Sequence, residues 1–322
     1  MKSKHKLKCG VIGLGWWGEQ MCSSILKSKL YEITTVFDSN LKRKNEFAEK
    51  FHARSSSSLD ELFESDIDCI FILSPNQFHV EHALGAAAYK KHVFLEKPIA
   101  NTSKEANLIL KACKKNNVVL AVGHNVRYYN IFKEAKKIIQ SGEIGDIVFI
   151  DGNRSRPIGE SITKKSWRFY TETCNGGPLI QMALHLVDTV RYVVGIDNVD
   201  SIKRTSIKKY LKTENQESYS VSMSINNKQI FNIFTSYLAQ ESFYLNFFGT
   251  KGTLFADPFN GLQIQKKGEF TKSSIQYKKN NPEVDEITEF YNKIVKSELF
   301  ANPTPEEAVK NVELIEKIIK AK

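Results

Sequence analysis

Lys8-Cys9-Gly10-Val11-Ile12-Gly13-Leu14-Gly15-Trp16-Trp17-Gly18 is a short apolar run that leads into three glycines spaced G-x-G-x-x-G. A stretch with helical spacing, roughly Glu19 to Leu30, follows it. Strand, glycine turn and helix, in that order, is the setting in which this spacing carries meaning. The first glycine permits a tight turn, the second lets the backbone approach a pyrophosphate, and the third lets helix and strand pack closely. The helix start then offers unpaired N–H groups and a partial positive charge to phosphate oxygens. Trp16 and Trp17 sit inside this turn and are candidates for contact with the same ligand.

Tyr31-Glu32-Ile33-Thr34-Thr35-Val36-Phe37 reads as the next strand, and Asp38 stands at its end. That acid falls about 20 residues beyond the glycines, where a carboxylate accepts hydrogen bonds from the adenosine ribose hydroxyls. A 2′-phosphate there would meet like charge, so Asp38 favours NAD over NADP. Arg43 and Lys42 lie close enough in sequence to soften that preference. The competing reading is that Asp38 caps a helix starting near Asn40.

The chain has 322 residues, 41% of them hydrophobic and 25% charged, which suits a globular protein of two domains. Its net charge of +10 comes from lysines spread over many predicted helices and turns. Without a concentrated basic stripe, a nucleic-acid role is disfavoured. Attraction of an anionic substrate, such as a sugar acid or nucleotide sugar, stays open. The five cysteines form no C-x-x-C pair and no zinc spacing, so no metal is expected and a reducing, cytoplasmic setting is. No run approaches the ~18 apolar residues that a membrane span needs.

Residues 1–123 alternate strand and helix. Ile67 to Leu73 is a nearly continuous apolar run, as in a parallel strand covered on both faces. Helices are expected over Phe78 to Tyr89 and Ser103 to Lys115, and strands over His92 to Leu95 and Val118 to Val122. This rhythm predicts an α/β fold with a doubly wound parallel sheet, a Rossmann domain. Ligands of such sheets sit at the carboxyl ends of the strands. Those ends carry the glycines, Asp38, Ser74-Pro75-Asn76, Glu96-Lys97-Pro98 and Gly123-His124-Asn125. From residue 124 to 322 a second α/β domain is expected. A helix from Tyr128 to Ser141 leads into strand-like runs at Ile147 to Gly152, Ser218 to Ile225, Gln229 to Leu238, Phe243 to Phe248 and Thr253 to Ala256. Asn226-Asn227 and Thr250-Lys251-Gly252 are hairpin turn signals. The result should be a large, mostly antiparallel sheet with one open face, which invites a homodimer or homotetramer. Glu283 to Lys296 and Pro305 to Lys320 read as helices.

A second constellation follows Asn175-Gly176-Gly177-Pro178. On a helix, Gln181, His185 and Asp188 share one face of an otherwise apolar stretch. An imidazole on such a face is a candidate for proton transfer, the alternative being a satisfied interior histidine. Lys97, just past a buried strand, should project an ammonium from the sheet's carboxyl edge, unless it pairs with Glu96 at the surface. Trp167-Arg168 could supply a stacking or cationic lid.

Taken in order, the glycine motif, Ser74-Pro75-Asn76 with His79, and Glu96-Lys97-Pro98 are joined by Gly123-His124-Asn125-Val126-Arg127, Trp167-Arg168 and the glycine pair before His185 and Asp188. Together they resemble the glucose–fructose oxidoreductase, inositol dehydrogenase and rhizopine catabolism family (Gfo/Idh/MocA), over nearly the whole chain. The resemblance implies oxidation or reduction of a sugar or cyclitol carbon with a nicotinamide cofactor. Lys97 and His185 would be catalytic, and Gln181, Asp188, Asn125 and Arg127 would bind substrate. The cofactor would be held by Gly13, Gly15, Trp16, Trp17, Gly18, Asp38, Arg43, Ser74, Pro75, Asn76, His79, Glu96, Lys97, Trp167 and Arg168. One departure stands out. The family commonly has an aspartate four residues before the histidine; this chain has Gln181, which can orient a hydroxyl but cannot carry a proton at neutral pH. Gln181 keeps alive the alternative of an NAD-binding regulatory or assembly protein without turnover; an NADP-dependent reductase of a non-sugar carbonyl is a further alternative.

Overall fold

The computed structural model describes residues 5–299 and 301–322. By its internal contacts the chain divides into two units, Met1–Asn125 with Glu283–Val312, and Val126–Pro282 with Glu313–Lys322.

In the first unit the elements run β1 (Leu7–Ile12), α1 (Trp16–Ser28), β2 (Tyr31–Phe37), α2 (Leu41–Phe51), β3 (Arg54–Ser55) and α3 (Leu59–Glu64). They continue β4 (Cys69–Ile72), α4 (His79–Ala88), β5 (His92–Glu96), α5 (Ser103–Asn116) and β6 (Leu120–Gly123). The strands are all parallel and ordered β3-β2-β1-β4-β5-β6. This is the doubly wound order, in which strand succession reverses between β1 and β4. Every residue of β4 is buried, as its unbroken apolar sequence requires when helices cover both faces. Side chains set several helix starts: Asn40 accepts from the Arg43 N–H at 2.9 Å, and Thr102 forms a reciprocal capping box with Glu105.

The second unit holds α6 (Asn130–Gln140), β7 (Ile147–Ser155) and a π-turn at Leu179–Ala183 that runs into α7 (Leu184–Val193). Then come β8 (Val199–Ile207), β9 (Ser218–Ile225), β10 (Gln229–Ser236), β11 (Ser242–Gly249), β12 (Gly252–Asp257), β13 (Gly261–Lys266) and β14 (Ser273–Ile275). The eight-stranded sheet is ordered β14-β13-β12-β11-β7-β10-β9-β8, antiparallel except where β7 pairs with β10. One face buries Ile150, Phe231, Phe247 and Leu254 in the core that α6 and α7 share. The other face is open. Phe149, Phe248 and Phe255 form a ladder of ring contacts at 5.1 and 6.3 Å, and Ile230 and Phe234 stand 49% and 40% exposed.

The chain closes with α8 (Pro282–Val295) and α9 (Pro305–Lys320). Here the expected single boundary near residue 124 needs correction, because residues 283–312 return to the first unit. The reason is aromatic. Phe290 of α8 lies 5.8 Å from both Phe71 and Phe94, and Tyr31 donates its hydroxyl to the Ile287 carbonyl at 3.0 Å. Ala308, Val309 and Val312 of α9 join the apolar cluster around β4, β5 and α5. Replacing Phe290 with Ala should therefore destabilise the nucleotide-side unit by about 3–5 kcal/mol. Chemical denaturation followed by fluorescence checks this; a midpoint unchanged from wild type would mean that α8 is not part of that unit's core.

Candidate active site

The glycine turn follows directly from β1. Gly13 adopts φ +91°, and a Cβ there would stand 2.5 Å from the Ser74 nitrogen and 2.6 Å from the Leu73 carbonyl carbon. A Cβ on Gly18 would stand 2.3 Å from the Gly13 oxygen. Gly15 is different: a Cβ there would project into open space at the start of α1. That helix has no side-chain cap, so its first-turn N–H groups are left for another acceptor. This cradle fits a pyrophosphate.

Asp38 closes the turn from the side. Its Oδ2 accepts from the Leu14 N–H at 2.9 Å and faces Arg43 Nη1 at 3.3 Å, while Oδ1 accepts from the Asn40 N–H at 2.8 Å. Asn40, not Asp38, caps α2. Asp38 thus ties β2 to the glycine turn, and its two oxygens keep capacity for a ribose hydroxyl.

Around Lys97 the structure assigns internal work to several expected cofactor ligands. The indole of Trp17 donates to Glu96 Oε1 at 2.6 Å, and Glu96 Oε2 accepts from the Lys97 N–H at 3.0 Å. Trp16 is largely exposed. Burial pushes the Glu96 carboxyl up to about 7, against the opposing pull of Lys97 and the Trp17 bond. Asn76 is buried and donates to Asn101 at 3.2 Å, and the Ser74 hydroxyl meets His82 Nδ1 at 2.9 Å. His79 was expected to touch the cofactor, and this is corrected. It is fully buried, with Nδ1 2.7 Å from the Pro98 carbonyl and Nε2 2.9 Å from the Ser74 carbonyl. It ties the turn after β4 to the turn that carries Lys97. Burial pulls its pKa down to about 4.

In the second unit, Gly176 (φ +81°) and Gly177 (φ +50°) turn the chain into the π-turn, and the Gly176 N–H is received by Asn215 at 3.1 Å. The i→i+5 turn alters the facing expected of a plain α-helix, and such turns often mark functional sites. Gln181 is buried, and its Oε1 accepts from Arg168 Nε at 3.3 Å. The Arg168 guanidinium lies 4.3 Å over the Trp167 ring. From Gly176 to Val190 every residue is buried except His185. Its imidazole is the one opening in that stretch.

Arg127 and Asp188 require a second correction. They form a two-pronged buried ion pair, Nε to Oδ2 at 2.9 Å and Nη2 to Oδ1 at 2.6 Å, and both side chains are 1% exposed. Neither presents an atom to a substrate; the pair pins α7 to the segment before α6. Asn125, in the first unit, donates to Glu283 at 2.8 Å at the start of α8. Sequence reasoning missed Asn101, His82, Asn215 and Glu283 as supports of these turns. Only Asn101 had a local signal, its position directly behind Glu96-Lys97-Pro98. Among the described residues no group of His, Cys, Asp and Glu is arranged to hold a metal ion, and no helix is long and apolar enough to cross a membrane.

The family model described as "Oxidoreductase family, NAD-binding Rossmann fold" matches residues 7–124, and the "GFO/IDH/MocA C-terminal domain" matches residues 132–255. The chain belongs to the Gfo/Idh/MocA oxidoreductase family. It is 32% identical over 187 residues to 2,7-anhydro-N-acetylneuraminate hydratase of Escherichia coli, covering 58% of this chain and 49% of that one. It is 28% identical over 236 residues to glucose-6-phosphate 3-dehydrogenase of Bacillus subtilis, covering 71% of this chain and 67% of that one. Its matches to the first of these curated relatives span about half of their length. The fold is also that of levoglucosan dehydrogenase, solved in complex with NADH and levoglucosan. The TM-score is 0.88 at 20% identity, over 98% of this chain and 97% of that one.

Glu96 gives this family member a testable pH signature. Its folded carboxyl titrates near 7, whereas an unfolded glutamate titrates near 4.3. Between those values the folded state holds a proton that the unfolded state has lost, so this group's contribution to stability falls as pH rises. His79 and His82, both held near 4 by burial, act in the opposite sense but equally in wild type and variant. Glu96→Gln should therefore gain stability relative to wild type from pH 4.5 to 7.5 in denaturant titrations. Parallel profiles would show that the carboxyl titrates normally.

Proposed function

We propose that the protein transfers hydride between a nicotinamide cofactor and a secondary carbinol carbon of a sugar, cyclitol or derivative. The observation that carries this reading is His185, the single opening in a buried stretch behind a glycine pair and π-turn. In the oxidation direction His185 takes the hydroxyl proton as the carbon–hydrogen bond breaks. The family resemblance gives Lys97, just past β5, the role of steadying the developing negative charge with its ammonium. NAD, when bound, accepts the hydride, so that alcohol and NAD become ketone, NADH and a proton. Gly13, Gly15 and Gly18 with the start of α1 would hold the pyrophosphate, and Asp38 would receive the ribose, which favours NAD over NADP. Trp16, Trp17, Ser74, Pro75 and Asn76 shape that cradle, and Asn125 belongs to the substrate side.

The names of the relatives support a sugar-type substrate, since one is a dehydrogenase of glucose 6-phosphate and another acts on an anhydro sugar acid. The open aromatic face of the second sheet supports a homodimer or homotetramer, and five buried cysteines, with no disulfide among the described residues, suit the cytoplasm. The regulatory alternative rests on Gln181 alone and requires that no substrate be turned over.

Absorbance at 340 nm with NAD and a panel of sugars and inositols tests the reading. Lys97→Met and His185→Ala should each lower turnover by on the order of 10²-fold or more while NADH still binds; wild-type turnover in both removes them from the mechanism. Asp38→Ala should narrow the preference for NAD over NADP, measured as the ratio of dissociation constants. An unchanged ratio would leave Asp38 only its bond to the glycine turn.

A further inference from the structure

Resting on the self-association proposed above, we infer that the open face of the second sheet receives the same face of a second copy, and that Asp151, at the middle of that face, takes up a proton as the two copies meet. Charge decides the partner. The chain holds 46 lysines and arginines and a formal net charge of +10, so two copies repel over most of their surfaces. The outward positions of four adjacent strands, β9, β10, β7 and β11, carry no lysine or arginine. Relief decides the arrangement. The aromatic ladder of Phe149, Phe248 and Phe255 stands on one side of the boundary between β7 and β10, whereas every outward residue of β9, on the other side, is a serine. A two-fold rotation about that boundary sets the ladder of each copy over the serines of the other, as an isologous interface requires. Aromatic side chains with charge depleted among them are also the composition of an interface core.

Asp151 stands beside that boundary. One cross-strand row runs Asn246, Asp151, Asn232 over β11, β7 and β10. Burial already pushes the Asp151 carboxyl above its ordinary value, against the pull of the Asn246 amide and the Tyr244 hydroxyl. Tyr244 is the one titratable group facing outward on the two strands that pack against it, and burial raises that phenol as well. The cations that flank the row are Lys203, three strands away on β8, and Lys272, whose ammonium lies 3.5 Å from the centre of the Phe255 ring. Directly across from Asp151, the Asn232 Oδ1 is sealed from solvent without a hydrogen-bond partner. A protonated Asp151 offers an O–H to that side, which a carboxylate cannot. Apposing two copies strips the remaining water from Asp151 and draws two like carboxylates toward one axis. Both effects favour the neutral acid. The paired state then holds a proton, taken from solvent, that the separate copies lack, so association tightens as pH falls.

Sedimentation velocity over a dilution series of the full chain, at pH 5.5 and pH 7.5, tests this. Wild type should associate with a Kd roughly threefold to tenfold lower at pH 5.5, since one linked proton changes Kd by at most about tenfold per pH unit. Where the copies stay together at the greatest dilution, the same comparison is read from the urea concentration that separates them. No histidine lies in this sheet, so Asp151 is the group on the face that answers to this pH range. Asp151→Asn should associate at pH 7.5 as tightly as wild type does at pH 5.5 and lose the pH dependence. Phe248→Arg should separate the copies, with circular dichroism confirming that both variants fold. Undiminished pH dependence in Asp151→Asn, or a wild type that loosens on acidification, overturns the inference while self-association stands. Copies that stay together in Phe248→Arg overturn it by moving the interface to another surface. A wild type that is monomeric throughout sinks the reading on which it rests.

Discussion

No side chain can stand between Gly13 and the backbone of Leu73 and Ser74. That close approach joins the ends of β1 and β4 at the point where the strand order reverses. Gly18 repeats the constraint one turn on, where α1 presses against the Gly13 oxygen. The nucleotide side then hangs on a series of short bonds from this junction. Asp38 holds Leu14, the Ser74 carbonyl meets His79, His79 meets Pro98, and Pro98 follows Lys97. A buried histidine wedged between two carbonyls transmits the position of one turn to the next better than a loop exposed to water could. The turn that carries Lys97 is therefore placed by buried contacts such as those of His79.

The second unit solves the equivalent problem with different parts. Two glycines in the left-handed region, one of them received by Asn215, admit a π-turn where an α-helix would otherwise begin. The Arg127–Asp188 pair anchors the following helix from beneath. A buried ion pair is weak evidence of net stability, because desolvation offsets much of its Coulomb attraction. Its two-pronged geometry does fix rotation of the helix, and rotation determines whether His185 or a neighbouring leucine faces outward.

The Rossmann half was legible because its signals are local. The strand at Tyr31–Phe37 and the helix from Ser103 follow from apolar positions that recur at strand and helix spacing and are the ones buried. In the second half, β9 and the turn at Asn226-Asn227 were equally plain, since both turn residues take positive φ. β8 was not. Its sequence, Val199-Asp200-Ser201-Ile202-Lys203-Arg204-Thr205-Ser206-Ile207, alternates weakly because it is an edge strand with one wet face. β13 and β14 are short strands at the other end of the same sheet, β14 being its edge. The return of α8 to the first unit was invisible for another reason: its partners Tyr31, Phe71 and Phe94 lie more than 190 residues away, and periodicity reports that a face is apolar, not what it meets. The same distance blindness turned Arg127, Asp188 and His79 into apparent ligands. Residue types that suit a binding site also suit a buried polar strut, and only burial separates the two.

Gln181 shows how one residue can alter two properties of a site at once. An amide oxygen still accepts the Arg168 N–H, so the local geometry survives without an acid. What the amide withholds is a titratable proton and a negative charge. The first loss leaves His185 as the titratable side chain that opens from this buried segment. The second leaves a half-buried guanidinium uncompensated beside it. Because electrostatic interactions strengthen as water is excluded, that residual charge matters most when the site is filled.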